Sequence, residues 1–419
     1  MKLSIDRSIY SIAILLLFVT APVYAQVVTL DTVLHRIDKQ NPMLQEYDAK
    51  VKALNAYTEG ARSWMAPMVG AGTFMTPYPG KKVMEERDRG YVMFSFEQEI
   101  PNPAKLSANK NYLQSKAGVE QQARAFQYNA LRAEAKTLYY QWLVAAQKVN
   151  VLHENERIAD LMLKLAKIRY PYNQGSLGNI YKVEGRLSEV QNMLLMTQAT
   201  IEEKSYRLKT LMNIPATDSI MIDTATVVDF QSNQSIYDTA ALRANRSDIK
   251  QIDQTIEVMR LNQQLQQYQA KPDFKLRFEH MEPIGSMMPS QFTAMAMVSI
   301  PIAPWSSRMY RAEVKGMRYD IEAMKKNREA ILNEARGMLA GMATQLTRMK
   351  QQLNNYETRI IPALRKNYET VMLAYEENRE QLPIVIDGWE AMNMAQMEYL
   401  EKMEEYYIMI VRYEKELEK

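Results

Sequence analysis

The sequence predicts a mainly α-helical protein with a small β part, built from long coiled-coil-like helices, four strands and an internal two-fold repeat. Two patterns predict this fold class. Apolar residues recur every seven positions over long stretches without proline, and the segments just before these stretches alternate between apolar and polar residues. In addition, the same order of elements occurs twice within the 419 residues.

The composition narrows the classes of function. The chain has no cysteine, 30 methionines and a formal net charge of +3. The lack of cysteine excludes disulfide and thiolate-metal scaffolds, and the near-neutral, interspersed charge gives no basis for binding nucleic acid. The sequence contains no glycine-rich phosphate loop or other catalytic signature. We therefore expect no enzyme activity, no catalytic residues, no bound cofactor and no nucleic-acid partner.

Residues 1–25 have the features of an export signal peptide. Two basic residues precede an apolar core over residues 9–19, and Val23-Tyr24-Ala25 provides small residues before a cleavage site. We expect cleavage near Ala25/Gln26, which takes the mature protein out of the cytoplasm. A membrane-spanning helix is the alternative, but this core is shorter than the roughly 20 residues that a bilayer requires.

The helices are predicted from a sustained heptad pattern. No proline occurs between Ala104 and Tyr170, and a helix of that length would extend about 100 Å. One row of apolar residues at intervals of seven consists of Leu131, Leu138, Ala145, Leu152, Ala159 and Ala166. A second run continues the pattern from Leu332 to Ile360. This spacing is typical of helices packed side by side, and a soluble coiled-coil rod would show it too.

Four strands are predicted where apolar and polar side chains alternate. They cover Met68–Thr76, Tyr91–Ile100, Asp273–Met281 and Gln291–Ile300. Their length and alternation suit a transmembrane β-barrel, although a half-buried soluble sheet gives the same pattern. Because four strands cannot close a barrel and lipid does not tolerate open edges, a membrane sheet would require oligomerisation. Three chains would supply twelve strands.

The two halves of the chain match each other. Each contains, in order, a helix, a strand, a loop, a strand, an Ile-Pro pair, a long helix, a break and a helix. The Ile-Pro pair at 100–101 corresponds to the pair at 300–301. We therefore expect a first repeat over residues 26–213, a linker over 214–236 and a second repeat over 237–419.

Three segments carry a resemblance to a known family. They are Gln98–Lys105 at a strand-to-helix junction, and Tyr172–Glu184 and Asn378–Glu390 at the two helix breaks. Together with the order of elements, they resemble the TolC family of outer-membrane efflux and secretion channels. The resemblance implies a homotrimer with a twelve-stranded β-barrel in outer-membrane lipid and an α-barrel in the periplasm. It also implies a periplasmic adaptor (a membrane fusion protein) and an inner-membrane pump as partners, with this chain as the passive exit duct.

The resemblance also places candidate functional residues. The two helix breaks would be the periplasmic tips where the adaptor docks. The expected docking residues are Asn173, Gln174, Gly175, Ser176 and Leu177 in one tip, and Asn378, Arg379, Glu380, Gln381 and Leu382 in the other. Asp387 matches an acidic gate position, where three carboxylates on a threefold axis would attract cations. The alternative is that Asp387 is an ordinary acid in the first turn of a helix.

The methionines around the strands point to a copper or silver cargo. Met281, Met295 and Met297 carry thioethers, which suit Cu(I), and His280 adjoins Met281. We expect weak, exchangeable metal sites at these residues. The alternative is that methionine fills irregular helix interfaces, which is its common use.

A second class of function is a periplasmic coiled-coil scaffold or adaptor without a membrane pore. An adaptor would need β-rich modules flanking a single helical hairpin, whereas this sequence predicts two hairpins and few strands. The feature that separates the two readings is whether the alternating strands face lipid or water.

Overall fold

The computed structural model describes residues 26–173, 175–225, 228–230, 239–285, 288–301 and 304–418. The expected signal peptide, Gln174 of the first tip and parts of the expected linker lie outside the described residues. Over the described residues the chain is mainly helical with a small sheet part, so the predicted fold class is confirmed at this level.

Long helices make up most of the chain. In order they are α1 (Leu30–Gln40), α2 (Pro42–Glu59), α3 (Pro103–Arg169), α4 (Leu177–Leu211), α5 (Thr239–Asn245), α6 (Ser247–Tyr268), α7 (Pro304–Asn355), α8 (Ile361–Glu376) and α9 (Leu382–Leu417). The start of α3 is fixed by Asn102, because its side chain accepts a hydrogen bond from the Ala104 amide at 3.0 Å. Within the described residues, no helix combines the length and the apolar character needed to cross a bilayer.

The predicted heptad rows face the interior. All six members of the row that begins at Leu131 are buried, and so are Leu332, Ala335, Leu339 and Leu346 of the second run. Other members of that run, Met342, Met349 and Leu353, are partly buried, and Ile360 at its end is 38% exposed. Helix α3 packs against α4, α6 and α9, while α9 also packs against α7 and α8. The prediction of helices packed side by side is therefore confirmed.

The strands form two sheets. They are β1 (Gln26–Val28), β2 (Met68–Phe74), β3 (Tyr91–Ile100), β4 (Ile220–Ile222), β5 (Asp273–Pro283) and β6 (Gln291–Ser299). The larger sheet is antiparallel in the order β2-β3-β5-β6, and β1 pairs with β4 in parallel. The predicted bounds hold for β3, whereas those of β2, β5 and β6 differ by one or two residues at their ends.

The two faces of the larger sheet differ in chemistry, since consecutive residues of a strand point to opposite sides. The face we call apolar carries Val69, Phe94, Phe96, Phe274, Leu276, Phe278, Phe292 and Val298, all exposed in the single chain. The face we call charged carries Glu97, Glu99, Lys275, Arg277 and Glu279. The alternation in the sequence is thus the alternation between these two faces.

Polar contacts tie the sheet to the helices. Lys105 Nζ of α3 lies 2.6 Å from Asp273 Oδ2 at the start of β5. Asn102 Nδ2 donates a hydrogen bond to the Pro272 carbonyl at 3.0 Å. The strand that leads into α3 is therefore held beside the strand that follows α6.

Two hydrophobic cores lie along the helices, and Met397 packs against both. The first core contains Tyr139, Leu143 and Leu339 and extends to β1, β4 and α1. The second, which we call the tip core, contains Leu152 and Val385 and joins α3, α4, α8 and α9 near the helix breaks. In sequence, a single turn of π-helix at Tyr356–Ile360 separates α7, which contributes to the first core, from α8, which contributes to the tip core.

A buried polar triad lies on the α3–α9 contact. Trp389 Nε1 donates to Asn155 Oδ1 at 2.7 Å, and Asn155 Nδ2 donates to Gln396 Oε1 at 3.2 Å. Asn155 also donates to the Val151 carbonyl at 2.9 Å. Because polar groups buried in a helix interface are satisfied only in one alignment, the triad favours a single register between α3 and α9.

Candidate functional site: the paired helix tips

The first tip is the turn between α3 and α4. Residues Tyr170–Tyr172 form a 3-10 turn, and Asn173 follows in the left-handed region with φ of 59°. Asparagine is among the few residues other than glycine that adopt this conformation readily. Ser176 then caps α4, because its Oγ accepts a hydrogen bond from the Asn179 amide at 3.3 Å.

The second tip is the turn between α8 and α9, and it too contains an asparagine in the left-handed region. Asn378 has φ of 59°. The amides of Arg379 and Glu380 donate to the Ala374 carbonyl at 2.8 and 3.2 Å, so the end of α8 is capped by its own backbone. Helix α9 then starts at Leu382, with Pro383 in its first turn.

Arg169 joins the two tips. Its guanidinium donates to the carbonyls of Tyr375 and Glu376 at 2.6 and 2.9 Å, and its centre lies 4.2 Å from the centroid of the Tyr375 ring. A cation at the last carbonyls of α8 is stabilised by the partial negative charge of the helix end. The two tips together enclose a cleft of about 630 Å³, which is lined on one side by Asn173, Gly175 and Ser176 and on the other by Asn378, Gln381 and Leu382.

Two ion pairs connect α4 with α9 beyond the cleft. Lys182 Nζ lies 3.3 Å from Asp387 Oδ1, and Arg186 Nε lies 2.7 Å from Glu390 Oε1. The Asp387 side chain is 70% exposed, so it can also face other charges or ions. Arg186 has an additional partner in Glu189, and the hydrogen bond to Glu189 is the main cause of its raised pKa, with Glu390 contributing.

The two leucines that follow the breaks differ in exposure. Leu177 is 43% exposed and is available to a partner, whereas Leu382 is 4% exposed and belongs to the tip core. Arg379 is exposed and pairs with Glu377 of its own turn at 3.2 Å. The surface of the second tip therefore consists of polar side chains.

Tyr375, which lines the cleft, and Tyr368 of the tip core add no charge near neutral pH. Burial raises the pKa of Tyr375, while Arg169 acts in the opposite direction. Burial is also the main cause of the raised pKa of Tyr368, and neighbouring carboxylates such as Glu376 add to it. Both phenols are therefore neutral, and the charges at the cleft come from Arg169, Glu380 and their neighbours.

The structure divides the four predicted metal-binding residues between the two faces of the larger sheet. Met281, Met295 and Met297 lie on the charged face, and Met281 is about 13 Å along the strand direction from the position opposite Met295. His280 lies on the apolar face, opposite Phe94 and Phe292. Within the described residues, no three histidine, aspartate or glutamate side chains are grouped as metal ligands.

The chain is similar in structure to several solved outer-membrane proteins, although no protein-family model and no curated protein matches the sequence. The outer-membrane channel OprN is 15% identical and has a TM-score of 0.75, over 93% of this chain and 89% of that chain. The outer-membrane protein VceC of Vibrio cholerae is 13% identical with a TM-score of 0.71, over 93% and 95% of the two chains. CusC, studied for its folding and transmembrane channel formation, is 12% identical with a TM-score of 0.73, over 96% and 95%.

The chain has the TolC-type channel fold. The resemblance predicted from the sequence is therefore confirmed at the level of the fold. At identities of 11–15%, the match carries the arrangement of helices and strands rather than the roles of individual residues.

Several residues that shape the tips of this channel fold were not singled out from the sequence. Arg169, Lys182 and Arg186 are ordinary basic residues on long, charged helices, so no local motif marks them. The interval of the predicted repeat gives a signal for Lys182, since Lys182 and Asp387 are 205 residues apart, as are Leu177 and Leu382. A search for opposite charges at that interval would have found the pair.

Proposed function

We propose that this protein is the outer-membrane channel of a tripartite efflux or secretion system, in which it is the passive exit duct across the periplasm and the outer membrane. The observation that carries the proposal is the exposed apolar face of the larger sheet, backed by a charged face. A sheet with one uncovered apolar side and one charged side fits a wall between lipid and a water-filled lumen.

Closure of that wall requires more than one chain. The edge strands β2 and β6 have unpaired backbone groups on their outer sides, and lipid does not tolerate such edges. We propose a homotrimer in which β6 of one chain pairs with β2 of the next, giving twelve strands. The exposed Trp64 and Trp305 support this placement, because they flank the helix end of the sheet, where aromatic side chains favour the membrane interface.

The tips are the proposed docking surface for the periplasmic adaptor, which would couple the channel to an inner-membrane pump. The candidate contacts are Asn173, Gly175, Ser176, Leu177, Asn378, Arg379 and Gln381, with Leu382 supporting them from the tip core. Asp387 is the proposed gate residue, since its exposed carboxylate lies one turn into α9. Opening of the entrance would then involve the Lys182–Asp387 pair that joins α4 to α9.

The proposed cargo is a soft cation such as Cu(I) or Ag(I). Met281, Met295 and Met297 support it, because their thioethers share the face that would line the lumen. His280 lies on the lipid side and would not contribute to such a route. The scaffold alternative is less well supported, since it leaves the apolar face exposed to water.

Conductance of the purified protein in planar bilayers, with its mass in detergent measured on the same sample, tests the proposal. Discrete channels from a trimer are the expected result, and a soluble, non-conducting species would refute it. Two matched substitutions sharpen the test. Phe278→Lys on the apolar face should prevent insertion, because a lysine near mid-bilayer costs about 2–4 kcal/mol on the lipid side. Thr293→Lys, on the charged face, should insert and conduct.

A further inference from the structure

Five charged side chains form a continuous chain across the two central strands, β3 and β5. In order they are Glu99, Lys275, Glu97, Arg277 and Glu279. Lys275 Nζ lies 3.6 Å from Glu99 Oε1 and is in closer contact with Glu97, while Arg277 Nε lies 4.0 Å from Glu97 Oε2 and pairs closely with Glu279. Each cation is thus shared between two carboxylates.

The chain of ion pairs does not balance. Three carboxylates face two cations, which leaves one negative charge per protein chain. The sixth charged residue on this face of the described strands is Asp273, whose charge is balanced by Lys105 at 2.6 Å. The charged face therefore has a net charge of −1, and a trimer would have −3.

Glu279 and Glu99 are the two ends of this chain of pairs, so the excess charge belongs to the three carboxylates together. The neighbours of Glu279 across the two adjacent strands are Ser95 and Thr293, so its ionic contact among the described residues is Arg277 alone. The residue is 7% exposed and is held in place by the sheet around it. A carboxylate held in this way keeps its negative charge at a fixed position on the face.

We propose that this chain of ion pairs makes the strand-lined part of the conduit a second cation-preferring segment, separate from Asp387 at the tip, and that the preference comes from the net charge of −1 to which Glu279 contributes. The inference rests on the proposed function, in which the charged face lines the lumen. Positively charged cargo would pass this segment more readily than anions of the same size.

The size of the effect is set by salt screening. The Debye length is about 10 Å at 0.1 M salt and about 3 Å at 1 M. A lumen of twelve strands is wider than a filled eight-stranded barrel, so three net charges on its wall act on the whole cross-section only at low salt. Selectivity that comes from these charges should therefore fade at 1 M, whereas selectivity from pore size should not.

The experiment measures reversal potentials of the purified trimer in planar bilayers under a KCl gradient, with mean concentrations near 0.1 M and near 1 M. Glu279→Gln removes the excess charge and should lower the cation-to-anion permeability ratio roughly twofold at the lower salt, with no change at the higher. Lys275→Gln, which adds net negative charge to the same face, should raise the ratio. Because the two substitutions are expected to act in opposite directions, a general structural defect cannot imitate the result.

Controls separate this inference from its basis. Glu329→Gln removes an exposed acid on α7 that pairs with Lys326, and it should leave the ratio unchanged. The same reversal-potential measurements are repeated on variants that also carry Asp387→Asn, so that cation selectivity at the tip does not hide the contribution of the strand segment. Conducting trimers whose ratio is the same with and without Glu279 would overturn the inference and leave the channel intact. A wild-type protein that forms no channels would overturn the proposed function and, with it, this inference.

Discussion

Lys182 and Asp387 form an ion pair between α4 and α9 at 3.3 Å, and they are separated by the same 205 residues that separate the left-handed turn residues Asn173 and Asn378. In the predicted two-fold repeat, the pair would join corresponding positions of the two hairpins. It therefore links α4 to α9 just beyond the tips.

Asp387→Asn tests the gate. Both partners are well exposed, so the loss of the pair should change the stability of the fold by no more than about 1 kcal/mol. Cation preference at low salt should fall, because a ring of three carboxylates at the entrance would be lost. Single-channel recording in a KCl gradient measures this. Asp160→Asn, which breaks an exposed Lys–Asp pair within α3, is the matched control. Equal selectivity in the two variants would remove Asp387 from the gate.

Leu177→Ala and Leu382→Ala should separate docking from folding, because the two leucines occupy corresponding positions with different burial. Leu382→Ala should destabilise the protein by roughly 2–5 kcal/mol, as expected for a truncated side chain in a packed core. Leu177→Ala should melt like the wild type in circular dichroism, yet impair efflux of a fluorescent dye from cells that depend on this chain. Normal efflux with Leu177→Ala, at a normal level of trimer, would contradict its docking role.

Trp389→Phe should weaken the contact between α3 and α9. The substitution keeps an aromatic ring but leaves Asn155 Oδ1 without the indole donor, at a cost of about 1–3 kcal/mol. The melting temperature in detergent should drop accordingly. Trp64→Phe, at an exposed indole, should change stability by less than about 0.5 kcal/mol. If both variants melted alike, the triad would add nothing to the tip core.

Glu418 should make stability depend on pH. Ser247 donates to its carboxylate from both the amide and the hydroxyl, at 2.8 and 2.7 Å, yet burial is the largest influence and raises the Glu418 pKa. The folded state then binds this proton more tightly than the unfolded state. Its contribution is present below the usual pKa of 4.5 and is lost as pH rises through the higher folded value.

Glu418→Gln cannot ionise and still offers an acceptor to Ser247. We therefore expect the variant to gain thermal stability relative to the wild type at pH 8, with a smaller gain at pH 4. Melting curves at the two pH values measure this difference. Glu401→Gln, at an exposed position of α9, is the control and should show no such trend. A gain that is equal at both pH values would contradict the sign of the shift.

Periodicity was enough to predict the longest elements. The row from Leu131 to Ala166 repeats every seven residues, and the strand Tyr91–Ile100 alternates every two. Both patterns are long enough that single residues that depart from the period do not obscure them. The three-residue strands β1 and β4 are too short to show any period, and they pair across nearly two hundred residues. The sequence therefore predicted neither their existence nor their pairing.

The tips were predicted as turns but not as one cleft. Local chemistry marks each turn, since Asn173 and Ser176 are typical of helix ends. Arg169 reaches a different hairpin, and a contact of that kind has no local signature. For the same reason the sequence treats Leu177 and Leu382 as equivalent, although the fold buries only the second. Similarly, alternation does place His280 opposite to Met281, but proximity in the sequence favoured grouping them.

The division of the helices into two cores has a consequence for the cost of motion. A rearrangement of the tips should leave the packing of the first core intact, because Leu143 and Leu339 do not pack around Leu152 and Val385. The π-turn at Tyr356–Ile360 lies between α7, which contributes to the first core, and α8, which contributes to the tip core. We therefore expect the tip end to open as a cooperative unit, so that hydrogen exchange shows its amides opening together while those of the first core stay protected.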